Sequence, residues 1–251
     1  MDNKQRFTSR VNDYIKFRPS YPEAIIPTLQ LEIGLIPDDI VADIGSGTGI
    51  SAQLFLDHGN LVYGVEPNEA MRKSAENELK QYENFRSING SAETTTLPDN
   101  SVDLIVCAQA FHWFDRAKTK TEFQRIANAG AHLCLIWNDR KESEKFQQDY
   151  ERIIQQYSID YNQVTHRNIS QEIIQDFFAP HKFKKFTFHY EQRFDFEGLI
   201  GRITSSSYMP NESDENFPQL RKSIVDLFNA HKQNEMVTFA YNTFLYIGQI
   251  N

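Results

Sequence analysis

A turn built on alternate glycines is the strongest chemical signal in this sequence. Gly45, Gly47 and Gly49 follow the apolar run Ile40–Ile44 and precede a helical pattern that starts at Ile50. Glycine lets the backbone turn tightly and approach a ligand, because it has no Cβ. The unpaired amides at a helix start can donate to a ligand's polar groups. The spacing predicts a ligand-binding turn, although a tight turn without a ligand would have the same glycines.

The spacing of these glycines separates two classes of cofactor. A dinucleotide fingerprint places its third glycine two residues beyond a G-x-G pair. That register would put the third glycine at position 50, where the chain has Ile50, and the third glycine is Gly49 instead. The pattern therefore argues against a nicotinamide cofactor. An NAD(P)-dependent oxidoreductase stays only as a less favoured alternative.

An acidic residue follows the next strand. Glu66 ends the run Leu61–Val65, about 20 residues beyond the turn, where an acid meets the ribose hydroxyls in nucleotide-binding folds. A carboxylate can accept from both hydroxyls of a cis-diol, so it suits a ribose. The alternative is that Glu66 serves the start of the helix that Asn68 caps, since acids favour helix starts.

The elements that must position these residues alternate between strand and helix patterns in the first half of the chain. Because the strong strands are apolar on both faces, they predict a parallel sheet covered by helices, that is, a doubly wound α/β fold. The predicted strands are 40–44, 61–65, 85–88, 102–108 and 132–137.

The second half predicts helical insertions over a sheet that closes with an antiparallel strand. Strand character returns at Phe183–Tyr190 and Met236–Ile247, and the latter alternates as an antiparallel partner would. We therefore expect a Rossmann-like, mostly parallel seven-stranded sheet with an antiparallel last strand. The whole of residues 1–251 is expected to be one domain, with an N-terminal lid at about 1–36 and cap insertions at about 140–180 and 197–235. Within the lid, Ser20–Glu23 is typical of a capping box and predicts a helix through Leu31.

Composition narrows the class of partner. The chain has 251 residues, 40% of them hydrophobic, which is enough for a sizeable core. Its formal net charge of −8 argues against nucleic acid, whose phosphates select basic surfaces. The two cysteines, Cys107 and Cys134, lie in apolar runs and predict neither a disulfide framework nor a zinc site. With no signal peptide and no apolar stretch long enough for a bilayer, we expect a soluble cytoplasmic protein without membrane partners.

A series of motifs along the chain resembles one known family. In this order they are found in class I S-adenosylmethionine-dependent methyltransferases, and in detail they resemble the methyltransferase type 11 family, on the branch of trans-aconitate methyltransferase-like proteins. The resemblance is specific in the first 140 residues and looser afterwards. The motifs are Arg10-Val-Asn-Asp-Tyr14, Phe17-Arg-Pro-Ser-Tyr-Pro22, Asp43-Ile-Gly-Ser-Gly-Thr-Gly49, Gly64-Val-Glu-Pro-Asn-Glu-Ala-Met71, Gly90-Ser-Ala-Glu93 with Leu97-Pro98, Val102-Asp-Leu-Ile-Val106, Phe111-His-Trp-Phe114, Ser205-Ser-Ser-Tyr208 and Tyr241-Asn-Thr-Phe-Leu-Tyr246.

The resemblance implies S-adenosylmethionine as cofactor and assigns a set of residues to it. Asp43, Gly45 and Gly47 would line the methionine part, Glu66 would take the ribose, and Ser91 and Ala92 would flank the adenine. Gln109 would supply backbone contacts near the sulfonium. Tyr14 and Arg18 would belong to a segment that folds over the cofactor and meets its carboxylate, although a surface helix is the alternative. The remaining cofactor-binding candidates are Ser46, Gly49, Pro67 and Phe111.

His112 is the candidate for proton transfer. It follows the fourth strand, and a histidine there could deprotonate a hydroxyl or amine acceptor. The alternative is that it orients a loop or packs beside Trp113. Trp113 and Phe111 could shape the pocket or lie near the sulfonium cation, and core packing is the alternative for both. A carboxylate acceptor would need no base.

The later insertions should hold the acceptor. Arg202 and Tyr208 lie there, and an arginine would suit an acidic acceptor. A metal is not expected, because the pair Asn138-Asp139 lacks the acidic residue that metal-dependent relatives carry where this chain has Phe111. The sequence thus predicts methyl transfer to a small molecule, with a carboxylic acid as the preferred acceptor. The alternative outside enzymes is a catalytically silent cofactor-binding regulatory protein. The oligomeric state is left open.

Overall fold

The computed structural model describes residues 17–141, 143–158, 169–206 and 208–251. Its strands are β1 (Ile40–Ile44), β2 (Leu61–Val65), β3 (Phe85–Ile88), β4 (Val102–Ala108), β5 (Ala127–Arg140), β6 (Phe183–Phe194) and β7 (Val237–Gln249). The α-helices are α1 (Ile25–Ile33), α2 (Ile50–His58), α3 (Glu69–Glu78), α4 (Arg116–Ile126), α5 (Lys145–Tyr157), α6 (Gln171–Phe178), α7 (Phe196–Thr204) and α8 (Phe217–His231), and a short 3₁₀ helix covers Phe111–Trp113.

The strands form one seven-stranded sheet in the order β3-β2-β1-β4-β5-β7-β6. The pairs from β3 through β5 are parallel, whereas β7 pairs antiparallel with both of its neighbours, β5 and β6. This confirms the predicted mostly parallel sheet with an antiparallel last strand. The strand order reverses between β1 and β4, and ligands of open α/β sheets bind beyond the carboxyl ends of strands at such a point.

The sheet is buried on both faces. Ala42 and Ile44 of β1 belong to one apolar cluster, and Val41 of the same strand belongs to a cluster on the other side. Burial of both faces explains why the sequence of β1 and β4 is mostly apolar rather than alternating. The prediction of the first four strands matches the structure residue for residue, and β5, β6 and β7 are longer than predicted.

Helix α1 begins later than the sequence predicts. The motif Ser20–Glu23 predicts a capping box, but α1 starts at Ile25, and its N-cap Ala24 makes no side-chain capping bond. The backbone oxygen of Ser20 instead accepts a hydrogen bond from Asn138 Nδ2 at 3.0 Å. This bond joins residues 118 positions apart in sequence, and the predicted capping box does not form the start of α1.

A third apolar cluster lies beside the carboxyl end of β5. It joins α5, α7 and α8 to the first residues of β7, through side chains such as Tyr150, Leu199, Ile224 and Phe239. Because β7 runs antiparallel, its amino-terminal part lies at the same end of the sheet as the carboxyl ends of the parallel strands. Helix α6 packs instead against the cluster on the sheet. The single domain, the lid and the bounds of the cap insertions remain predictions.

Candidate functional site

A cavity opens at the point where β1 and β4 end. The glycine turn forms one side of it, and the residues after β4 form another. The end of β5, the start of α2, α7 and β7 complete the wall, together with the described residues that precede α1. Residues from at least six distant parts of the sequence therefore meet in the place that the strand order predicts for a ligand.

The three glycines of the turn share a backbone conformation, but Gly45 and Gly47 differ in their surroundings. All three have left-handed backbone angles, with φ of +72° at Gly45, +55° at Gly47 and +86° at Gly49. A Cβ at Gly45 would lie 2.6 Å from the Cβ of Ala110, so this glycine allows the turn to pack against the residues after β4. A Cβ at Gly47 would meet no atom within 4 Å, although Gly47 lines the cavity. Gly47 therefore leaves open space where a ligand can approach the backbone.

Two further residues of this turn line the cavity. Ser46 is buried, and its backbone N–H donates to the oxygen of Val65 at 3.2 Å. Thr48 is also buried, and its Oγ1 has no hydrogen-bond partner among the described residues. A buried hydroxyl without a partner is costly, so Thr48 offers a polar contact to a ligand in the cavity.

Asp43 lies beneath the turn, fully buried at the end of β1. Its Oδ2 accepts a hydrogen bond from Ser51 Oγ at 2.7 Å, which joins β1 to the first turn of α2. Its other oxygen, Oδ1, is buried and has no hydrogen-bond partner in the part of the chain that the structure describes. Burial raises the pKa of this carboxyl to about 7. A positively charged group near Oδ1 would therefore be strongly favoured.

Glu66 is connected to the turn directly. One carboxylate oxygen accepts the Gly47 N–H at 3.1 Å, and the other accepts the Asn68 N–H at 2.8 Å. Burial raises the pKa of Glu66, and the two backbone donors oppose that effect. Asn68 caps α3 by accepting from the N–H of Met71, so the predicted cap is confirmed and Glu66 is not the N-cap. Pro67 lies between the two residues, and neither Glu66 nor Pro67 lines the cavity itself.

Ser91 and Ala92 lie in the turn after β3, next to the strand edge that Glu66 occupies. Backbone bonds between Ser91 and Thr94 close this turn, with N···O distances of 3.0 and 3.2 Å. Ala92 is buried in the core, and neither residue lines the cavity. Ser91 and Ala92, the candidate adenine contacts, thus lie outside the cavity. Glu66 lies between the two regions, since its carboxylate accepts the Gly47 N–H and its backbone N–H donates to Ile88 at the end of β3.

Gln109 follows β4 with a left-handed φ of +55°, an uncommon angle for a residue with a side chain. Its Nε2 donates to the backbone oxygen of Asn138 at 3.0 Å. Its Oε1 is buried and accepts no hydrogen bond from any described residue, and Gln109 lines the cavity. The side chain can therefore accept a hydrogen bond from a ligand, in addition to the backbone contacts that the resemblance implies.

The aromatic residues after β4 divide between core and cavity. Phe111 is fully buried, and its ring lies 4.7 Å from that of Phe177, so the structure places it in the core rather than on the cavity wall. His112 and Trp113 both line the cavity. The centroid of the His112 ring lies 4.5 Å from that of Trp113, with the two rings tilted by 40°, and 5.5 Å from that of Trp137. His112 therefore both faces the cavity and packs beside Trp113.

The residues ahead of α1 reach the cavity through Arg18. Arg18 Nη2 donates to Ser206 Oγ at 3.4 Å, and the Arg18 backbone oxygen accepts from Gln192. The preceding Phe17 packs on α7, where a Cβ at Gly201 would lie 2.1 Å from its ring. Tyr14, the other predicted contact of this segment, lies outside the described residues.

Arg202 and Tyr208, the predicted acceptor contacts, line the same cavity. Nine further wall residues were not predicted as ligand contacts from the sequence, among them Asn138, Arg140 and Tyr241. Arg140 and Tyr241 are partners in the β5–β7 register, so only the antiparallel pairing brings them together. Asn138 and Arg140 lie at the carboxyl end of β5, and this position could have predicted them as ligand contacts from the sequence.

Comparison with known proteins assigns the central part of this fold. Residues 42–135 match the family model described as a methyltransferase domain. That segment is similar to a methyltransferase domain. It runs from β1 into β5 and therefore contains the glycine turn, Glu66, Gln109 and His112. The match confirms the resemblance to methyltransferases, and the narrower trans-aconitate branch remains a prediction.

Curated proteins that are similar to parts of this chain are named as methyltransferases. An uncharacterized methyltransferase of Mycobacterium tuberculosis is 36% identical over 143 residues, which are 56% of this chain and 55% of that protein. An uncharacterized methyltransferase-like protein of Schizosaccharomyces pombe is 30% identical over 155 residues, which are 61% of this chain and 59% of that protein. The matches thus span little more than half the length of these curated relatives.

Solved structures share the fold over nearly the whole chain. A candidate type II methyltransferase from Anaeromyxobacter dehalogenans superposes with a TM-score of 0.65 at 19% identity, covering 93% of this chain and 98% of that one. The YcgJ protein of Bacillus subtilis superposes with a TM-score of 0.57 at 21% identity, covering 89% of this chain and 97% of that one. Both superpositions extend beyond the methyltransferase domain match and include the elements after β5.

No helix in the described parts of the chain has the length and apolar character that crossing a membrane requires. Likewise, residues 17–141, 143–158, 169–206 and 208–251 contain no group of three or more His, Cys, Asp or Glu side chains placed to hold a metal ion. In the pair considered for a metal, Asn138 Oδ1 accepts from Thr243 Oγ1 at 2.6 Å. The absence of a metal remains a prediction.

Proposed function

We propose that this protein is an S-adenosylmethionine-dependent methyltransferase that acts on a small-molecule carboxylic acid. The observation that carries the proposal is that the glycine turn and a buried arginine, Arg202, line one cavity. The turn suits the cofactor, and the arginine suits an acidic acceptor. The methyltransferase domain match over residues 42–135 supports the same reaction.

The residues present fit this cofactor. Gly47 leaves open space at the turn, and a side chain there would occupy it. Asp43 Oδ1 and Gln109 Oε1 are buried acceptors without partners, and both suit a ligand with an ammonium group. Glu66 already holds the turn and keeps acceptor capacity for the hydroxyls of a ribose. Arg18 at the opposite wall would meet the cofactor's carboxylate.

When bound, S-adenosylmethionine supplies an electrophilic methyl group on a sulfonium, whose departure leaves a neutral thioether. The chain's own contribution is then to orient an acceptor and to exclude water. His112 and Trp113 form the wall after β4, and Tyr21 and Pro19 form part of the wall from the amino-terminal side. These residues would enclose the acceptor beside the glycine turn.

A carboxylic acid is the acceptor class that the charged wall favours. Arg202 is 6% exposed and lies at the cavity, where its guanidinium can hold a carboxylate through paired hydrogen bonds. A carboxylate is ionised at neutral pH, so it can take a methyl group without losing a proton first. The product would be a methyl ester, and His112 would then position the acceptor rather than act as a base.

The first experiment is calorimetric titration of the purified protein with S-adenosylmethionine, with NADH as the comparison ligand. We expect saturable binding of S-adenosylmethionine alone. The loaded protein is then incubated with a panel of small carboxylic acids and the methyl-labelled cofactor, and ester formation is followed by release of label as methanol on mild base treatment. A folded protein that binds no S-adenosylmethionine would overturn the proposal, and binding without transfer to any acceptor would favour a silent cofactor-binding protein.

A further inference from the structure

Two side-chain amides fasten the segment before α1 to the carboxyl end of the sheet. Residues 18–20 of this segment belong to neither a helix nor a strand. Asn138 Nδ2, from β5, donates to the backbone oxygen of Ser20 at 3.0 Å. Gln192 Nε2, from β6, donates to the backbone oxygen of Arg18 at 3.3 Å. Because Arg18 and Asn138 line the cavity, both bonds lie at the candidate site.

Each amide is held in turn by a hydroxyl of β7. Thr243 Oγ1 donates to Asn138 Oδ1 at 2.6 Å, and Thr243 is the register partner of Asn138. The Tyr241 hydroxyl donates to Gln192 Oε1 at 3.3 Å, reaching it diagonally from its own register partner Tyr190. Tyr241 and Thr243 are two residues apart on one strand, so their side chains lie on the same face of the sheet. One face of β7 thus supports both amides.

The direction of both chains of hydrogen bonds is fixed by chemistry. A backbone carbonyl can only accept, so each amide must turn its nitrogen toward residues 18–20. The amide oxygen then faces β7 and can only accept, which requires the hydroxyl to donate. Without the hydroxyl, the orientation that presents the amide nitrogen to the segment would no longer be favoured. Asn138 and Thr243 are both buried, so solvent has little access to replace the lost bond.

We propose that Asn138 and Gln192 are positioning residues that place Arg18 against the carboxylate of the bound cofactor. They act through the backbone of residues 18–20, and this rests on the proposed function, in which Arg18 meets that carboxylate. Arg18 reaches the cavity from a backbone that the two amides locate. Locating a charged donor in advance reduces the cost of ordering it when the ligand binds. The amides therefore add to the affinity for the amino-acid part of the cofactor and not for its nucleoside part.

The test compares two ligands that share the nucleoside and differ in the carboxylate. S-adenosylhomocysteine carries the cofactor's amino-acid group, whereas methylthioadenosine ends at the thioether and lacks that group. Dissociation constants for both ligands are measured by calorimetric titration of the whole chain. A general loss of structure would weaken both ligands, while a misplaced Arg18 would weaken only S-adenosylhomocysteine.

Two uncharged variants interrupt one chain of hydrogen bonds each. Thr243→Val keeps the shape of the side chain and removes the hydroxyl that orients Asn138. Gln192→Met keeps a similar length and removes both bonds of the amide. Neither Thr243 nor Gln192 lines the cavity, so neither change alters its wall directly. The matched control is His189→Leu, which removes another bond between β6 and β7, from His189 to Asn242, on the opposite face of the sheet.

We expect Thr243→Val and Gln192→Met each to weaken S-adenosylhomocysteine binding by about fivefold, the scale of one hydrogen bond, and to leave methylthioadenosine binding within about twofold. His189→Leu should leave both constants unchanged. Unchanged S-adenosylhomocysteine affinity in either of the first two variants would overturn the proposal, as would equal losses for the two ligands. A loss of S-adenosylhomocysteine affinity in His189→Leu would overturn it as well. The proposed function fails separately, if the unchanged protein binds no S-adenosylmethionine.

Discussion

The carboxylate of Glu66 accepts the backbone N–H of Gly47 at 3.1 Å and thereby joins the end of β2 to the turn that follows β1. The same carboxylate also accepts the N–H of Asn68, at the start of α3. A single side chain thus fixes the two loops that flank the strands β1 and β2.

This relationship predicts the effect of Glu66→Ala. The substitution removes the acceptor for two backbone donors and for the ribose hydroxyls, so S-adenosylmethionine binding should weaken by about 1–3 kcal/mol. Calorimetric titration measures the change. The control is Glu69→Ala, which removes an exposed ion pair with Lys73 at the start of the same helix. Equal affinities of Glu66→Ala and the unchanged protein would remove Glu66 from the cofactor site.

Gly47→Ala separates backbone strain from loss of ligand space. The left-handed φ of +55° should lower the free energy of unfolding by about 1–2 kcal/mol. The matched control is Gly130→Ala, because Gly130 has a φ of +82°, also has no atom near its Cβ position, and does not line the cavity. Both variants should lose similar stability in urea unfolding, while Gly47→Ala alone should weaken S-adenosylmethionine binding, by more than about tenfold or 1.4 kcal/mol. Equal cofactor affinities in the two variants would contradict a ligand at Gly47.

Asp43 should make stability fall as the pH rises. Its folded-state pKa of about 7 is above the usual 3.8, so between these values the folded protein binds the proton more tightly than the unfolded chain. The free energy of unfolding should therefore decrease from pH 4 to pH 7, by at most about 4 kcal/mol from this group, and level off above pH 7.

Asp43→Asn tests this linkage. The amide keeps an acceptor for Ser51 but carries no charge, so the variant should gain stability relative to the unchanged protein as the pH rises from 5 to 8. Urea unfolding at both values gives the difference. Two unfolding free energies that run parallel over this range would show that Asp43 titrates near its usual pKa.

His112→Ala distinguishes the two roles open to the histidine. With a carboxylic acid as acceptor, kcat should fall by less than about tenfold, since no proton is removed and a general base would contribute roughly 10²–10⁴-fold. With an acceptor that has a hydroxyl of pKa near 10, the loss should reach that larger range. The measurement is single-turnover transfer to each acceptor. An equal loss with both would assign His112 to positioning alone.

The sequence by itself determined the fold and the turn, because both depend on local pattern. Strands that are apolar on both faces predict a parallel sheet. The glycines at positions 45, 47 and 49 predict a tight turn, because glycine readily adopts the left-handed backbone that all three have in the structure. The cap at Asn68 and the stop at Gly59 follow from the same local rules. The capping box predicted at Ser20 is wrong: α1 begins at Ile25, and the backbone oxygen of Ser20 accepts a hydrogen bond from Asn138, which is distant in sequence.

Only the tertiary structure decided which charges meet. Arg18 and Ser206, 188 residues apart, are hydrogen-bonded to each other, and the β5–β7 register sets Arg140 beside Tyr241. Phe111 and His112 are neighbours in sequence, yet one is buried in the core and the other faces the cavity. Spacing along the chain carries no information on such encounters, since they depend on how helices and strands far apart in sequence pack together. The ion pair of Arg140 with Glu151, and the lack of a hydrogen-bond partner for Arg202 Nε among the described residues, could therefore be found only in the folded protein.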